Sequence, residues 1–142
     1  MTTWNRKNRM VWALELAQVA STMSEDPYKK VGAVAMRPDN SIAAVSYNGA
    51  PPNVEIDWSD RDKRRIYVIH AETNLLRFIK PHECDRVAIT LSPCVDCLKN
   101  MAAYGIETII YEEKYDKCDY NLVEKIAELY KINLYHRASL NI

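Results

Sequence analysis

Between residues 7 and 23, Met10, Ala13, Leu14, Ala17 and Ala20 recur at three- and four-residue steps, with Met23 or Ser24 completing the face; this is the period of an amphipathic helix. The pattern ends before Asp26-Pro27. Two short apolar runs follow, Val31–Met36 and Ile42–Tyr47, joined by Arg37-Pro38-Asp39-Asn40-Ser41, and strand-length runs around such turn residues predict a hairpin. Asn48-Gly49-Ala50-Pro51-Pro52-Asn53 stops the second run. Residues 53–65 are polar and charged without a usable period, which predicts a long loop or a short irregular helix of the kind that often carries function. Beyond it the elements alternate: a helix over His70–Ile79, a strand over Arg86–Leu91, a helix over Cys94–Tyr104 closed by Gly105, and a strand over Glu107–Tyr111. Leu122, Ile126, Leu129 and Tyr130 then predict a helix over Asn121–Tyr130, followed by a strand over Ile132–Tyr135. A strand-helix-strand crossover makes the last two strands parallel. The whole pattern is that of an α/β fold, a mixed sheet of about five strands with helices on both faces.

Composition narrows the class. A length of 142 residues, without a linker or internal repeat, predicts one domain over residues 1–142, and 48% hydrophobic residues suffice for a core without disulfides. Nineteen Lys plus Arg against nineteen Asp plus Glu give zero formal charge, which disfavours a general nucleic-acid or anionic-membrane binder. The apolar runs fall far short of the ~20 residues of a membrane span. Met1 to Arg9 lacks the apolar core of a secretory signal, so the chain is expected in the cytoplasm. In that compartment Cys84, Cys94, Cys97 and Cys118 read as metal ligands or free thiols.

Candidate chemistry sits in His70-Ala71-Glu72 and Pro93-Cys94-Val95-Asp96-Cys97. The two thiols are three residues apart at a predicted helix start, where one turn aims both sulfurs at one point and the helix N-terminus favours thiolate. Alone, Cys-x-x-Cys reads as half a structural zinc site, a redox pair or a coincidence. A closed structural site needs four protein ligands. No second Cys-x-x-Cys or His-x-x-x-His supplies them, although His82, Cys84, Cys118 and His136 could be recruited. The flanking residues lack the Trp-Cys-Gly-Pro character of a thioredoxin-like pair. Adding His70 gives one imidazole and two thiolates, three ligands that leave the fourth tetrahedral position open, as in a catalytic zinc site. Glu72 stands two residues beyond His70, near enough to lean over the metal without ligating it. His-x-Glu followed by Pro-Cys-x-x-Cys is a signature of zinc nucleobase deaminases. In that chemistry Zn²⁺ brings the pKa of water from 15.7 toward about 7. Glu72 is then the expected proton shuttle, from water to a ring nitrogen and on to departing ammonia.

Over most of its length the chain resembles the deoxycytidylate (dCMP) deaminases of the cytidine deaminase superfamily. The resemblance runs through Asp26-Pro27 ahead of Lys30-Val31-Gly32-Ala33-Val34, then Tyr47-Asn48-Gly49-Ala50-Pro51 and Val68-Ile69-His70-Ala71-Glu72-Thr73-Asn74. It continues through Thr90-Leu91-Ser92-Pro93-Cys94, Gly105-Ile106-Glu107 and Glu113-Lys114-Tyr115-Asp116. The zinc motifs are common to the superfamily, whereas Tyr-Asn-Gly-x-Pro and the Lys-Tyr after the fourth strand point more narrowly to dCMP deaminases. The tRNA adenosine deaminases, to which the chain is also similar, usually carry Glu where Ser92 precedes Pro-Cys. The resemblance implies a three-layer α-β-α fold, one zinc per chain, and hydrolysis of dCMP to dUMP and ammonia, which feeds thymidylate synthesis. It implies a homo-oligomer, hexameric in many members. It also implies that Asn48 meets the sugar, with Ala71, Ser92, Lys30 and Tyr115 as further substrate contacts. A 5′-phosphate needs cations or helix N-terminal amides. Lys30, Lys114 and the group Arg61, Lys63, Arg64 and Arg65 are candidates.

Many dCMP deaminases are switched on by dCTP and off by dTTP near the Tyr-Asn-Gly-x-Pro segment, which makes Tyr47, Gly49, Arg61, Arg64 and Lys114 candidate effector or phosphate residues. This chain departs from that pattern, with Ser46 where Gly usually precedes the Tyr and Pro52-Asn53 in place of the usual continuation. Glycine permits close backbone approach to a ligand, so the departure argues against nucleotide regulation.

Plainer readings stand beside these. Cys84 and Cys118 read as ordinary thiols, and a second zinc using them with His82 or His136 has no recognisable spacing. The Arg61–Arg65 run reads equally as a solvated loop face, Asn48-Gly49 as a turn, and Lys30 as a surface charge. Trp4, Trp12 and Trp58 read as core or interface anchors, with Trp58 able to border a pocket. Deamination of a base in RNA or single-stranded DNA would require a basic channel with aromatic platforms. Zero net charge and nine Tyr, three Trp and one Phe scattered along the chain give that little support. A free nucleoside or base is a further alternative substrate. A non-catalytic zinc-stabilised scaffold would need a fourth protein ligand and an indifferent Glu72.

Overall fold

Asn8 begins the first helix by accepting hydrogen bonds from the amides of Met10 and Val11, so α1 runs over Arg9–Ser21, two residues inside the predicted span at each end. The computed structural model describes residues 6–140, and Trp4 lies outside them. Strands β1 (Gly32–Met36) and β2 (Ile42–Tyr47) pair antiparallel as predicted. They are joined by a turn in which Asn40 takes a φ of 73°. The register shifts between Ala35 and Met36, a bulge that leaves Ala43 outside the pairing.

The other strands are β3 (Arg86–Leu91), β4 (Thr108–Glu113) and β5 (Asn133–His136), in the sheet order β2-β1-β3-β4-β5. β1 and β3 are antiparallel, whereas β3–β4 and β4–β5 are parallel through helices α4 (Val95–Ala103) and α5 (Tyr120–Leu129). Side-chain alternation on β3 divides the core. Ala88 packs with Ala13, Leu14 and Ala17 of α1, while Val87 and Ile89 face Leu75, Leu98 and Val123 from α3 (Ala71–Leu76), α4 and α5. A sheet covered on both sides explains why the β1 run is continuously apolar rather than alternating. Among the described residues no helix is long and apolar enough to cross a membrane.

The segment predicted as a long loop over residues 53–65 holds a helix at its end. α2 (Arg61–Tyr67) is capped by the Asp60 carboxylate, which accepts from the amides of Asp62 and Lys63. The predicted helices at His70 and Cys94 each start one residue later, because both residues have extended backbones and serve as N-caps. That shift places two candidate ligands at helix mouths.

α1 crosses β1 at Gly32, where a Cβ would lie 1.9 Å from the Ala17 carbonyl oxygen and 2.7 Å from the Ser21 amide nitrogen. Both obstacles are backbone and cannot swing aside. Gly32→Ala is therefore expected to destabilise by about 3 kcal/mol, a fall in melting temperature of roughly 10 °C. Gly49→Ala, which meets nothing within 4 Å, should melt like the parent. Equal melting curves for Gly32→Ala and the parent would refute the close approach.

Candidate active site

The starts of α3 and α4 face each other on the same side of the sheet, and their N-caps, His70 and Cys94, meet there. His70 Nδ1 lies 3.2 Å from Cys97 Sγ and 3.7 Å from Cys94 Sγ, and the three donor atoms all lie within 4.8 Å of one another. A tetrahedral zinc with Zn–S of about 2.3 Å and Zn–N of about 2.0 Å separates its donors by roughly 3.5 Å, so the trio fits that ion. Among the described residues this is the one such group. His82, Cys84, Cys118 and His136 do not join it. Cys84 is buried in the core, the Cys118 thiol donates to the Tyr115 carbonyl, and His136 stacks on Tyr111 with Nε2 at the Glu112 carbonyl.

His70 and Cys94 line a cavity of about 190 Å³, with Cys97 buried behind them. Glu72, in the first turn of α3, lines it and is 4% exposed. Burial lifts the Glu72 carboxyl to about 7, although His70 and its own backbone N–H favour the ionised form. The Cys94 thiol is drawn down to about 4, first by a hydrogen bond from Cys97 and then by His70. Cys97 is pushed up by the same pairing and by burial. His70 is raised, chiefly by its hydrogen bond with Cys94. Cys94 is thus the more acidic of the two thiols, and a divalent ion held by the trio would displace the thiol proton of Cys97.

Hydrogen bonds fix the frame. The Ser46 hydroxyl donates to the Ala71 carbonyl at 2.6 Å, which ties β2 to the start of α3. Ser92 donates its amide to Glu113 and accepts at Oγ from the Tyr115 amide, both at 2.8 Å, holding the Pro93-Cys94 approach against the loop after β4. Of the residues expected to contact substrate, Asn48, Ala71, Ser92 and Tyr115 line the cavity. The Asn48 amide is nevertheless occupied: Oδ1 accepts from Val31 N at 2.9 Å, and Nδ2 donates to Lys29 O at 2.9 Å and Asp26 Oδ2 at 3.4 Å.

The expected cations divide. Lys30 does not line the cavity, because its Nζ donates to the Ser24 carbonyl; its neighbour Lys29 lines it instead, with Nζ 2.6 Å from Glu113 Oε2. Arg64 and Arg65 line the cavity beside Lys29. Arg64 is 7% exposed and bonds Asp26 Oδ2 at 3.0 Å, its guanidinium 5.0 Å from the Tyr28 ring centroid. Arg61 and Lys114 lie farther out, Arg61 over Tyr28 and Lys114 over Tyr120. Tyr47 and Gly49 border a separate hollow, and Gly49 exchanges backbone hydrogen bonds with Ile69. Trp58 lines neither. Sequence reasoning missed Lys29 and the fully buried Asp26, which carried no signal beyond their place beside the Asp-Pro and Lys-Val motifs.

The family model for the cytidine and deoxycytidylate deaminase zinc-binding region matches residues 5–113. The chain is 32% identical over 124 residues to the "Probable deoxycytidylate deaminase" of Caenorhabditis elegans, an alignment covering 81% of this chain and 62% of that protein. It is 30% identical over 125 residues to the deoxycytidylate deaminase of Mycobacterium phage D29, covering 71% of this chain and 91% of that one. The fold matches the dCMP deaminase of cyanophage S-TIM5, apo form, with a TM-score of 0.73 and 23% identity over 89% of this chain and 95% of that one. The same cyanophage enzyme in complex with dCMP and dUMP matches with a TM-score of 0.68 and 24% identity, over 88% and 90%.

Metal analysis tests the trio directly. The purified protein should hold about one zinc per chain, falling to near zero in Cys97→Ser and staying at one in Cys84→Ser and Cys118→Ser. Two zincs per chain, or undiminished zinc in Cys97→Ser, would contradict the assignment.

Proposed function

Because the chain belongs to the cytidine and deoxycytidylate deaminase family, we propose that it hydrolyses dCMP to dUMP and ammonia in the cavity between α3 and α4. The observation that carries this reading is a buried carboxyl beside a His-Cys-Cys trio, in a pocket also lined by Lys29, Arg64 and Arg65. Relatives named deoxycytidylate deaminase, and a similarly folded phage enzyme solved with dCMP and dUMP, support the substrate.

His70, Cys94 and Cys97 would hold the zinc, which supplies the Lewis acidity that makes water nucleophilic near neutral pH. Glu72 takes a proton from the attacking water and gives it to ring nitrogen N3, then takes the proton of the new C4 hydroxyl and gives it to the amino group, so that the C4–N4 bond breaks, ammonia leaves and C4 becomes a carbonyl. A carboxyl near 7 suits both directions of transfer. Val31, Val68 and Leu91 give the ring apolar walls. Asn48, with its amide committed to Val31 and Lys29, keeps the cavity edge rigid beneath the sugar. The Arg64 Nε is buried without a hydrogen-bond partner among the described residues, and a phosphate oxygen would satisfy it.

Regulation by a nucleoside triphosphate is not part of this reading. The hollow beside Tyr47 and Gly49 offers two carboxylates, Glu25 and Glu55, and no cation among its lining residues, so it repels a polyphosphate. Free thiols at all four cysteines accord with a cytoplasmic setting, and half-exposed Val45 and Tyr47 on edge strand β2 accord with self-association.

Ammonia release by the zinc-loaded protein should be seen with dCMP and not with cytosine or a tRNA anticodon stem; the reverse preference would defeat the reading. Glu72→Gln should keep its zinc and lose about 10²- to 10⁴-fold in kcat. A zinc-loaded, fully active Glu72→Gln protein would remove Glu72 from the chemistry. Turnover of dCMP should stay hyperbolic with and without dTTP, so a sigmoidal response relieved or deepened by dTTP would restore the effector role.

A further inference from the structure

The substrate cavity does not end at the cations that suffice for one phosphate. It shares Lys29, Arg64, Arg65, Leu91 and Tyr115 with a second, outer chamber of about 360 Å³. Six cationic side chains line that chamber: Lys29, Arg61, Arg64, Arg65, Lys114 and Lys117. Two carboxylates, Glu113 and Asp116, face them. Glu113 is engaged by Lys29 and Arg64 by Asp26, while Arg61, Arg65, Lys114 and Lys117 have no carboxylate partner among the described residues. Clustered cations repel one another, and here four solvent-exposed ones border a single hollow. Arg64, more than nine-tenths buried with Nε unsatisfied, borders both chambers, so a phosphate that meets it stands at their junction with the outer cations beyond it.

A mononucleotide gives the outer cations nothing to meet. We propose that the outer chamber receives a polyphosphate chain, so that the protein deaminates cytosine deoxynucleoside 5′-di- and triphosphates as well as the monophosphate. The inference rests on the deaminase reading above. The bond changes are those of the monophosphate reaction: water adds at C4, the C4–N4 bond breaks, ammonia leaves, and the phosphate chain passes through unchanged. dCTP and water give dUTP and ammonia.

Zinc-loaded protein is assayed for ammonia release from dCMP, dCDP and dCTP across a concentration range. The di- and triphosphate should be turned over with kcat/KM at least equal to that of dCMP. Lys117→Glu, at an exposed position in the outer chamber alone, should raise KM for dCTP about tenfold while leaving kcat/KM for dCMP within about twofold. Calorimetry with inorganic tripolyphosphate reads the chamber without chemistry: the parent should bind it and Lys117→Glu should bind about tenfold more weakly. A protein that deaminates dCMP and rejects dCTP overturns the inference and leaves the deaminase reading intact. So does dCTP that alters dCMP turnover without itself releasing ammonia. Should no nucleotide be deaminated, the deaminase reading fails by itself; tripolyphosphate binding that is absent, or equal in parent and variant, overturns the chamber separately.

Discussion

Two helix starts meeting at one point are the constraint on which the site depends. His70 caps α3 and Cys94 caps α4, and neither spends its side chain on capping its own helix. Both side chains are therefore free to turn toward the gap, while Cys97 reaches the same point from within α4. The exposed amides of two helix mouths also make this the place on the backbone best suited to negative charge. Thiolates and a carboxylate gather there, and a cation is the natural complement. Ser46 and Ser92 hold the two mouths in register with β2 and with the loop after β4. The sheet itself fixes the spacing, because α3 and α4 lie on one face of it while α1 packs directly against the other at Gly32.

A second constraint ties this centre to the cationic wall. Asp26 is fully buried; its Oδ1 accepts from the amides of Tyr28 and Lys29, and its Oδ2 meets Arg64 and the Asn48 amide. One carboxylate thus joins the lead into β1, the end of β2 and the helix α2. Desolvating an ion pair gains little net stability, yet removing one partner of such a pair costs about 3–5 kcal/mol. Its use here is positional. Asp26 holds Arg64 inside the protein, facing the cavity, where a solvated arginine would have stayed on the surface.

Most of the architecture could be read from the residues because period and punctuation agree along the chain. β3 matched its predicted bounds, and the parallel pairing of β4 and β5 followed from one crossover helix. The trio was legible for a different reason, since the short spacing within each motif fixes how its side chains leave a helix start, and the fold has only to bring the two starts together. What escaped was decided by direction. Lys29 and Lys30 are chemically equivalent neighbours, and only the folded chain shows that one lines the cavity while the other reaches the Ser24 carbonyl. The Arg61–Arg65 run looked like a solvated face because nothing in its sequence announces Asp26, a carboxylate 38 positions from Arg64 in the chain, as the buried partner that draws it in.

Zero net charge and a strongly basic hollow are compatible once distance is considered. Charges act over a Debye length of about 8–10 Å at ordinary ionic strength, so a ligand in the cavity feels the side chains around it rather than the sum over the chain. The balancing carboxylates stand on other surfaces, Glu124 and Glu128 along α5 and Glu25 and Glu55 around the hollow beside Tyr47. A long polyanion laid across the protein would meet these acids as well as the basic hollow, and its attraction would largely cancel. A single nucleotide, with its base between α3 and α4 and its phosphates among the cations around α2 and the loop after β4, would meet mainly the favourable side. The neutral balance is therefore itself a selectivity device, one that disfavours nucleic acid while leaving a small anionic ligand fully attracted.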